Sequence, residues 1–229
     1  DLDSLSKTSS KVESSVTSLS GAFKAAIPAI GFGAIASDIL QVNRQMEMLR
    51  TSLTSVTGSA ERGKDAFKFI QDFAVNTPFE VDALTKAFIS LKNFGIQPTT
   101  EVMRAITNQA SKLGASEETL SGITLALGQA WAKGKLQGEE ILQLVERGVP
   151  VWDLLSKATG RTTAELQSMS SKGQLTRDVI SKLIAEMDKM AAGSNVRAME
   201  TLNGSISNLS DAWKTFEDTL MQDKSEGLI

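Results

Sequence analysis

The 229-residue chain contains no histidine, no cysteine and no tyrosine. Those absences together remove disulfides, thiolate and imidazole metal ligands, the commonest general base, and the thiol and phenol nucleophiles. Carboxylate pairs and Ser/Lys chemistry survive the exclusion, but the 27 acidic residues are spread over many helical patterns and read as solvated faces. A net charge of −3 supplies no overall attraction to a nucleic-acid backbone, whose binding depends on many Lys and Arg contacts. No signal-peptide pattern stands at the start, and no apolar stretch reaches the roughly 18 to 20 residues that a spanning helix needs. The chain reads as soluble.

What is present is enough for a core: 41% of the residues are hydrophobic, in a length suited to one large domain or two small ones. The chain opens on Asp1, and its last helical pattern runs almost to Ile229, so it reads as a piece of a longer polypeptide. Residues 1–33 form a Ser-rich amphipathic segment followed by a broken apolar linker. In the first part, Leu2, Leu5, Val12, Val16 and Leu19 can share one helical stripe. In the second, Phe23, Ile27, Ile30, Phe32 and Ile35 are interrupted by Pro28, Gly31 and Gly33. The window is either a kinked linker packed on its neighbours or a segment that contacts a partner or a membrane.

A long helix is expected over residues 34–57. Its apolar positions Ile35, Ile39, Val42, Met46, Leu49, Leu53 and Val56 alternate spacings of four and three, the period of a coiled-coil seam. A second long helix is expected over 195–229, where Met199, Leu202, Ile206, Leu209, Trp213, Phe216 and Leu220 repeat the pattern. The candidate seam contacts are Met46, Leu49, Leu53, Leu202, Ile206, Leu209, Trp213 and Phe216. The two seams match in length, so they either pair with each other or extend to pair with other copies.

Residues 58–194 read as a compact domain of short helices with clear punctuation. Ser59, Thr99 and Ser116 are expected N-caps, and Gly95 and Gly114 follow helix ends. Thr77-Pro78-Phe79-Glu80 and Thr162-Thr163-Ala164-Glu165 have the form of capping boxes, the first with Pro at the opening helical position. Thr176 caps a further helix, with Leu175 and Ile180 at hydrophobic-staple positions. No strand signal of comparable quality occurs, so the chain is expected to be all-α. It should form about nine or ten helices, a compact multi-helix domain flanked by the two heptad-patterned ones.

Within this domain Gly134, Leu136, Gly138, Glu139, Glu140, Ile141, Leu144, Gly148 and Pro150 form the most informative motif. Gly134 and Gly138 bracket a turn, the two glutamates suit a helix N-terminus, Gly148 with Pro150 stops the helix, and Leu136, Ile141 and Leu144 supply a buried face. The pattern Lys-Gly-x-Leu-x-x-acid-x-Ile-x-x-Leu recurs from Lys172 to Leu183 at identical spacing. Both copies look architectural, and neither has the spacing of a catalytic site.

Together with Asn76-Thr77-Pro78-Phe79, Leu91-Lys92-Asn93-Phe94-Gly95 and Gly173-Gln174-Leu175-Thr176, the stretch from Gly134 to Pro150 resembles the N-terminal domain of the tape-measure proteins of long-tailed phages and prophages. That resemblance, spanning roughly Ile35 to Leu220, implies a virion protein of the tail that is not an enzyme and needs no cofactor or metal. Such a protein sets tail length, templates tail-tube polymerisation and assists genome delivery through the host envelope. Its partners would be tail-tube and other tail proteins, tail assembly chaperones and further copies of itself, with membrane contact after ejection and no sequence-specific nucleic acid. It would be found in the virion tail, in the host cytoplasm during assembly, and at the envelope during infection. Two alternatives compete. A lysozyme-like cell-wall hydrolase would use Glu140 or Glu146 as its acid, and a helical DNA-binding module would use the short glycine-joined helices.

Overall fold

The structure, a computed structural model, describes residues 32–201 together with Ser210, Asp211 and Lys214, and side chains from residue 41 onward. Ten helices run through the described residues: α1 (Phe32–Thr57), α2 (Ala60–Ala74), α3 (Val81–Asn93), α4 (Thr100–Lys112), α5 (Glu117–Lys133), α6 (Gly138–Glu146), α7 (Val151–Thr159), α8 (Thr163–Ser171), α9 (Arg177–Met190) and α10 (Ser194–Met199). The only extended pairing among these residues is an isolated antiparallel bridge between Lys135 and Thr176. The all-α expectation holds.

The chain divides into two compact units, Asp1–Gln45 and Met46–Ile229. Of the first, the described part is helical backbone from Phe32 onward. In the second, Met46, Leu49 and Leu53 are 3%, 8% and 0% exposed, so this stretch of the heptad stripe is buried within the unit. Gly58, at φ +81°, turns the chain into α2. A Cβ on Gly63 would lie 2.8 Å from the Thr54 backbone, so glycine permits this close approach of α2 to α1. The Arg50 guanidinium covers the Phe67 ring at 4.6 Å from its centroid.

Helix α5 lies at the centre of the second unit, packing against α3, α4, α6 and α9. Its Leu120, Ile123, Ala126, Leu127 and Ala130 are almost fully buried. Two glycines in its interior make room for neighbours. A Cβ on Gly128 would lie 2.2 Å from the Phe94 ring, and one on Gly122 would collide with the Arg147 guanidinium. Helix α9 packs on α4 and α7, α8 on α7, and α10 on α4.

Four helix starts carry the expected capping bonds, and α9 has Thr176 as its N-cap residue without a side-chain bond. Ser59, Thr99, Ser116 and Thr162 each accept a hydrogen bond from the backbone N–H three residues on. The Thr162 box is reciprocal, because the Thr162 N–H donates to Glu165 Oε2 at 2.8 Å. These bonds to Thr162 hold the Glu165 carboxyl below its ordinary range.

Three local expectations are corrected. Thr77-Pro78-Phe79-Glu80 does not cap a helix at Thr77, because α3 begins at Val81 with Glu80 as its N-cap residue. The buried Thr77 hydroxyl instead donates to the Ala74 carbonyl at 3.4 Å, ending α2, and accepts from the Phe79 N–H at 3.4 Å. Phe79, in the same turn, is 1% exposed. Secondly, no single helix runs on from residue 195, since α10 ends at Met199 and Thr201 lies in a bend. Thirdly, Gly138 is the first residue of α6 and has no positive φ, so the turn at Gly134 is closed on its far side by Gln137 as N-cap.

Candidate functional site

The motif and its echo meet in space. Helix α5 ends at Gly134, φ +76°, whose N–H donates to the Trp131 carbonyl while Lys135 N–H donates to Ala130, both at 3.0 Å. Helix α8 ends in the same way at Gly173, φ +66°, where Gly173 N–H donates to Ser170 at 3.0 Å and Gln174 N–H to Met169 at 2.8 Å. Both are left-handed glycine caps that satisfy the last carbonyls of a helix.

The second residue after each capping glycine then joins the two turns. Leu136 N–H donates to the Leu175 carbonyl at 2.8 Å, and both leucine side chains are fully buried. The helices that follow bury Ile141 and Leu144 from one copy and Ile180 and Leu183 from the other. Arg177 adds a cross-link: its Nε donates to the Trp131 carbonyl at 2.9 Å, and its guanidinium stands 5.5 Å from the Trp131 ring centroid. Two sequence segments 39 positions apart thus form one paired junction.

Glu140 is the buried charge of this junction. Its side chain is 0% exposed, paired with the half-exposed Lys133, and its Oε2 accepts from the Gln137 N–H at 3.3 Å. Lys133 also reaches Glu139 at 3.0 Å, and bonding to the two carboxylates holds its ammonium above the ordinary lysine range. The arrangement is a helix start closed by a carboxylate and a lysine. Glu140 itself is closed to solvent, and Glu146 stands exposed at the far end of α6. The two hydrolase candidates are therefore not assembled into one site. Gly148, at φ +82°, ends α6, while Pro150 opens α7 as its N-cap residue.

A second constellation, not expected from the sequence, fixes α10. Ser111 Oγ donates to Asn195 Oδ1 at 2.7 Å, Asn195 Nδ2 to Thr107 Oγ1 at 2.9 Å, and Asn195 N–H to Asn108 Oδ1 at 3.0 Å. All four residues are buried. At the edge of this seam Arg104 makes a bidentate pair with Asp188, at 3.0 and 2.7 Å, which ties α4 to α9. The signal was present as a polar stripe, Arg104, Thr107, Asn108 and Ser111, at helical spacing. Beside the seam lies a groove of about 690 Å³, bordered by Phe79, Glu80, Lys112, Glu117, Arg197 and Thr201. At its Glu80 edge, Lys214 forms an ion pair with Glu80 and stands 3.8 Å from Asp211.

The other candidate residues divide as follows. Phe32 and Ile35 lie in the α1 backbone. Phe23, Ile27 and Ile30, and Leu202, Ile206, Leu209, Trp213 and Phe216, lie outside the described residues. Among the described residues no helix is long and apolar enough to cross a membrane, and no cluster of three or more acidic residues could hold a metal ion.

A family model described as tape measure protein matches residues 37–222. The chain is 31% identical to the Mu-like prophage FluMu protein gp42 of Haemophilus influenzae, over 96% of this chain and 36% of that protein. It is 33% identical to a probable tape measure protein of Salmonella phage Felix O1, over 58% of this chain and 19% of the relative. A probable tape measure protein of Lactococcus phage p2 is 24% identical over 85% of this chain and 19% of its own length. The chain thus spans between about a fifth and a third of these relatives. No solved structure matches it.

Proposed function

Because the chain belongs to the tape measure protein family, we propose that it works by architecture, as the compact helical module of a longer tail protein. It is a segment of a phage tail tape-measure protein, and its place is the virion tail. The observation that carries the reading is the coincidence of the family match, residues 37–222, with a unit whose most distinctive motif serves only to pair two helical turns. Glycine caps, stapled leucines and a lysine-sealed glutamate give that junction an architectural role.

In this reading the whole protein sets tail length and templates tail-tube polymerisation, and afterwards assists passage of the genome through the envelope. Tail-tube and other tail proteins are its partners, with assembly chaperones holding it in the host cytoplasm before assembly. Further copies are engaged through the seam that begins at Ile35. Exposed Leu142 and Val145, on the outward side of α6, offer a second apolar contact. The broken apolar window around Ile27 and Ile30 is the part suited to lipid after ejection.

The test is to induce a prophage carrying this gene with either its own sequence or Leu136→Asp, and to image the particles by electron microscopy. Absent or misshapen tails are expected with the variant. Normal numbers of tails of normal length would overturn the assembly role. Peptidoglycan release by the purified chain, abolished by Glu140→Gln, would instead restore the hydrolase reading.

A further inference from the structure

Outside the turn junction, the carboxylate of Asp211 is a buried charge that the paired turns do not use. The residue is 8% exposed, and neither of its oxygens closes a hydrogen bond with the protein. It lies where a distant part of the chain returns to the start of α3, since Lys214 pairs with Glu80, 134 positions earlier. Helix α3 needs such a visitor. Its N-cap residue is Glu80, whose side chain makes no capping bond, so the helix start has no local side-chain acceptor for its free N–H groups.

The charges at this contact do not balance. Facing Asp211 are the Lys214 ammonium and the Val81 N–H, which favour its ionised form, and the Glu80 and Glu117 carboxylates, which oppose it. When every group is ionised, the single ammonium stands between Glu80 and Asp211 with one negative charge left uncompensated in a buried place. A proton on Asp211 removes that excess and leaves the Lys214–Glu80 pair intact.

We propose that Asp211, Lys214 and Glu80 form a proton-linked clasp that seats the segment carrying Asp211 and Lys214 on the N-terminus of α3, tightening in acid and loosening in base. Burial raises the Asp211 carboxyl from its ordinary 3.8 to about 6. A group whose pKa is raised by docking binds more protons docked than free, so docking strengthens as pH falls through that value. The gain is complete only below the ordinary value of 3.8. Between pH 7.5 and pH 5.0 these two values give an increase of about tenfold in the docking equilibrium. The clasp meets the groove at Glu80, which borders it.

Hydrogen exchange on the full 229-residue chain tests the idea, with rates corrected for the intrinsic pH dependence of amide exchange. The readout is the protection of the amides of Ser210, Asp211 and Lys214, with α5 as an internal control for the fold. The expected result is about tenfold greater protection at pH 5.0 than at pH 7.5 in the unaltered chain, against less than twofold difference in Asp211→Asn. An equal pH response in Asp211→Asn would overturn the clasp. So would a flat response in the unaltered chain, or loss of protection at both pH values in Asp211→Asn with α5 still protected.

Discussion

At the scale of single residues, the first two of the motif's three glycines have opposite roles although they stand four positions apart. Gly134 occupies the left-handed region at φ +76°, which a Cβ strains, whereas Gly138 opens α6 with ordinary φ and nothing within 4 Å of an added Cβ. Gly134→Ala should therefore lower stability by about 1 kcal/mol. Gly138→Ala should raise it by about 0.5 to 1 kcal/mol through helix propensity and reduced freedom of the unfolded chain. Urea denaturation of both variants checks the pair, and equal shifts would contradict the assignment. A further residue-scale case is Thr85, fully buried with no protein partner for its hydroxyl. Thr85→Val keeps the shape and removes the desolvated hydroxyl, so it should stabilise by about 1 kcal/mol. Thermal unfolding reads this directly, and a large loss would mean that the hydroxyl is satisfied.

Between elements, the paired turns are the distinctive feature. Leu136 and Leu175 are both fully buried and joined through the backbone bond between them, so truncations there act on one shared contact. Leu136→Ala and Leu175→Ala should each cost about 2 to 5 kcal/mol. The double variant should fall short of their sum by about 0.5 kcal/mol or more, because the second truncation enlarges a cavity already formed. Strict additivity in a double-mutant cycle would show the two turns to be independent. The α4–α10 seam makes a separate prediction. Asn195→Ala strands Thr107 and Ser111 without their buried side-chain partner, while Asn108 keeps its bond from the residue-195 N–H. It should therefore cost about 1 to 3 kcal/mol and speed exchange of α10 amides well before those of α5.

For the molecule as a whole, the two stretches of the first heptad seam differ in what they can still do. Met46, Leu49 and Leu53 are consumed by the second compact unit. Ile35, Ile39 and Val42 fall in the first unit, and the proposed association between copies is assigned to them. Sedimentation of the chain should depend on concentration, and Ile39→Asp should abolish that dependence while leaving the melting temperature of the compact unit in place. Concentration-independent sedimentation of the unaltered chain would remove self-association from the proposed function.

Short-range chemistry was legible without coordinates. The caps at Ser59, Thr99, Ser116 and Thr162, the glycine stops at Gly95, Gly114 and Gly148, and the absence of strand patterns each depend on a few consecutive residues, so the linear order carried them. The family membership, too, was legible from local motifs. The Thr77 box failed because the Thr77 hydroxyl is engaged with the Ala74 carbonyl and the Phe79 N–H, so it closes α2 instead of opening α3. The echo from Lys172 to Leu183 was visible as spacing, yet that the two copies would bond to each other was not, and neither was the polar stripe of α4 finding Asn195. Nor could the sequence show why Gly122 and Gly128 interrupt α5, since only the packed neighbours Arg147 and Phe94 supply the reason. Local backbone preference thus determined where the helices are. Which turns pair, which polar groups are buried together and which charge is left uncompensated were decided by tertiary packing, because burial and electrostatics depend on distances that sequence separation does not encode.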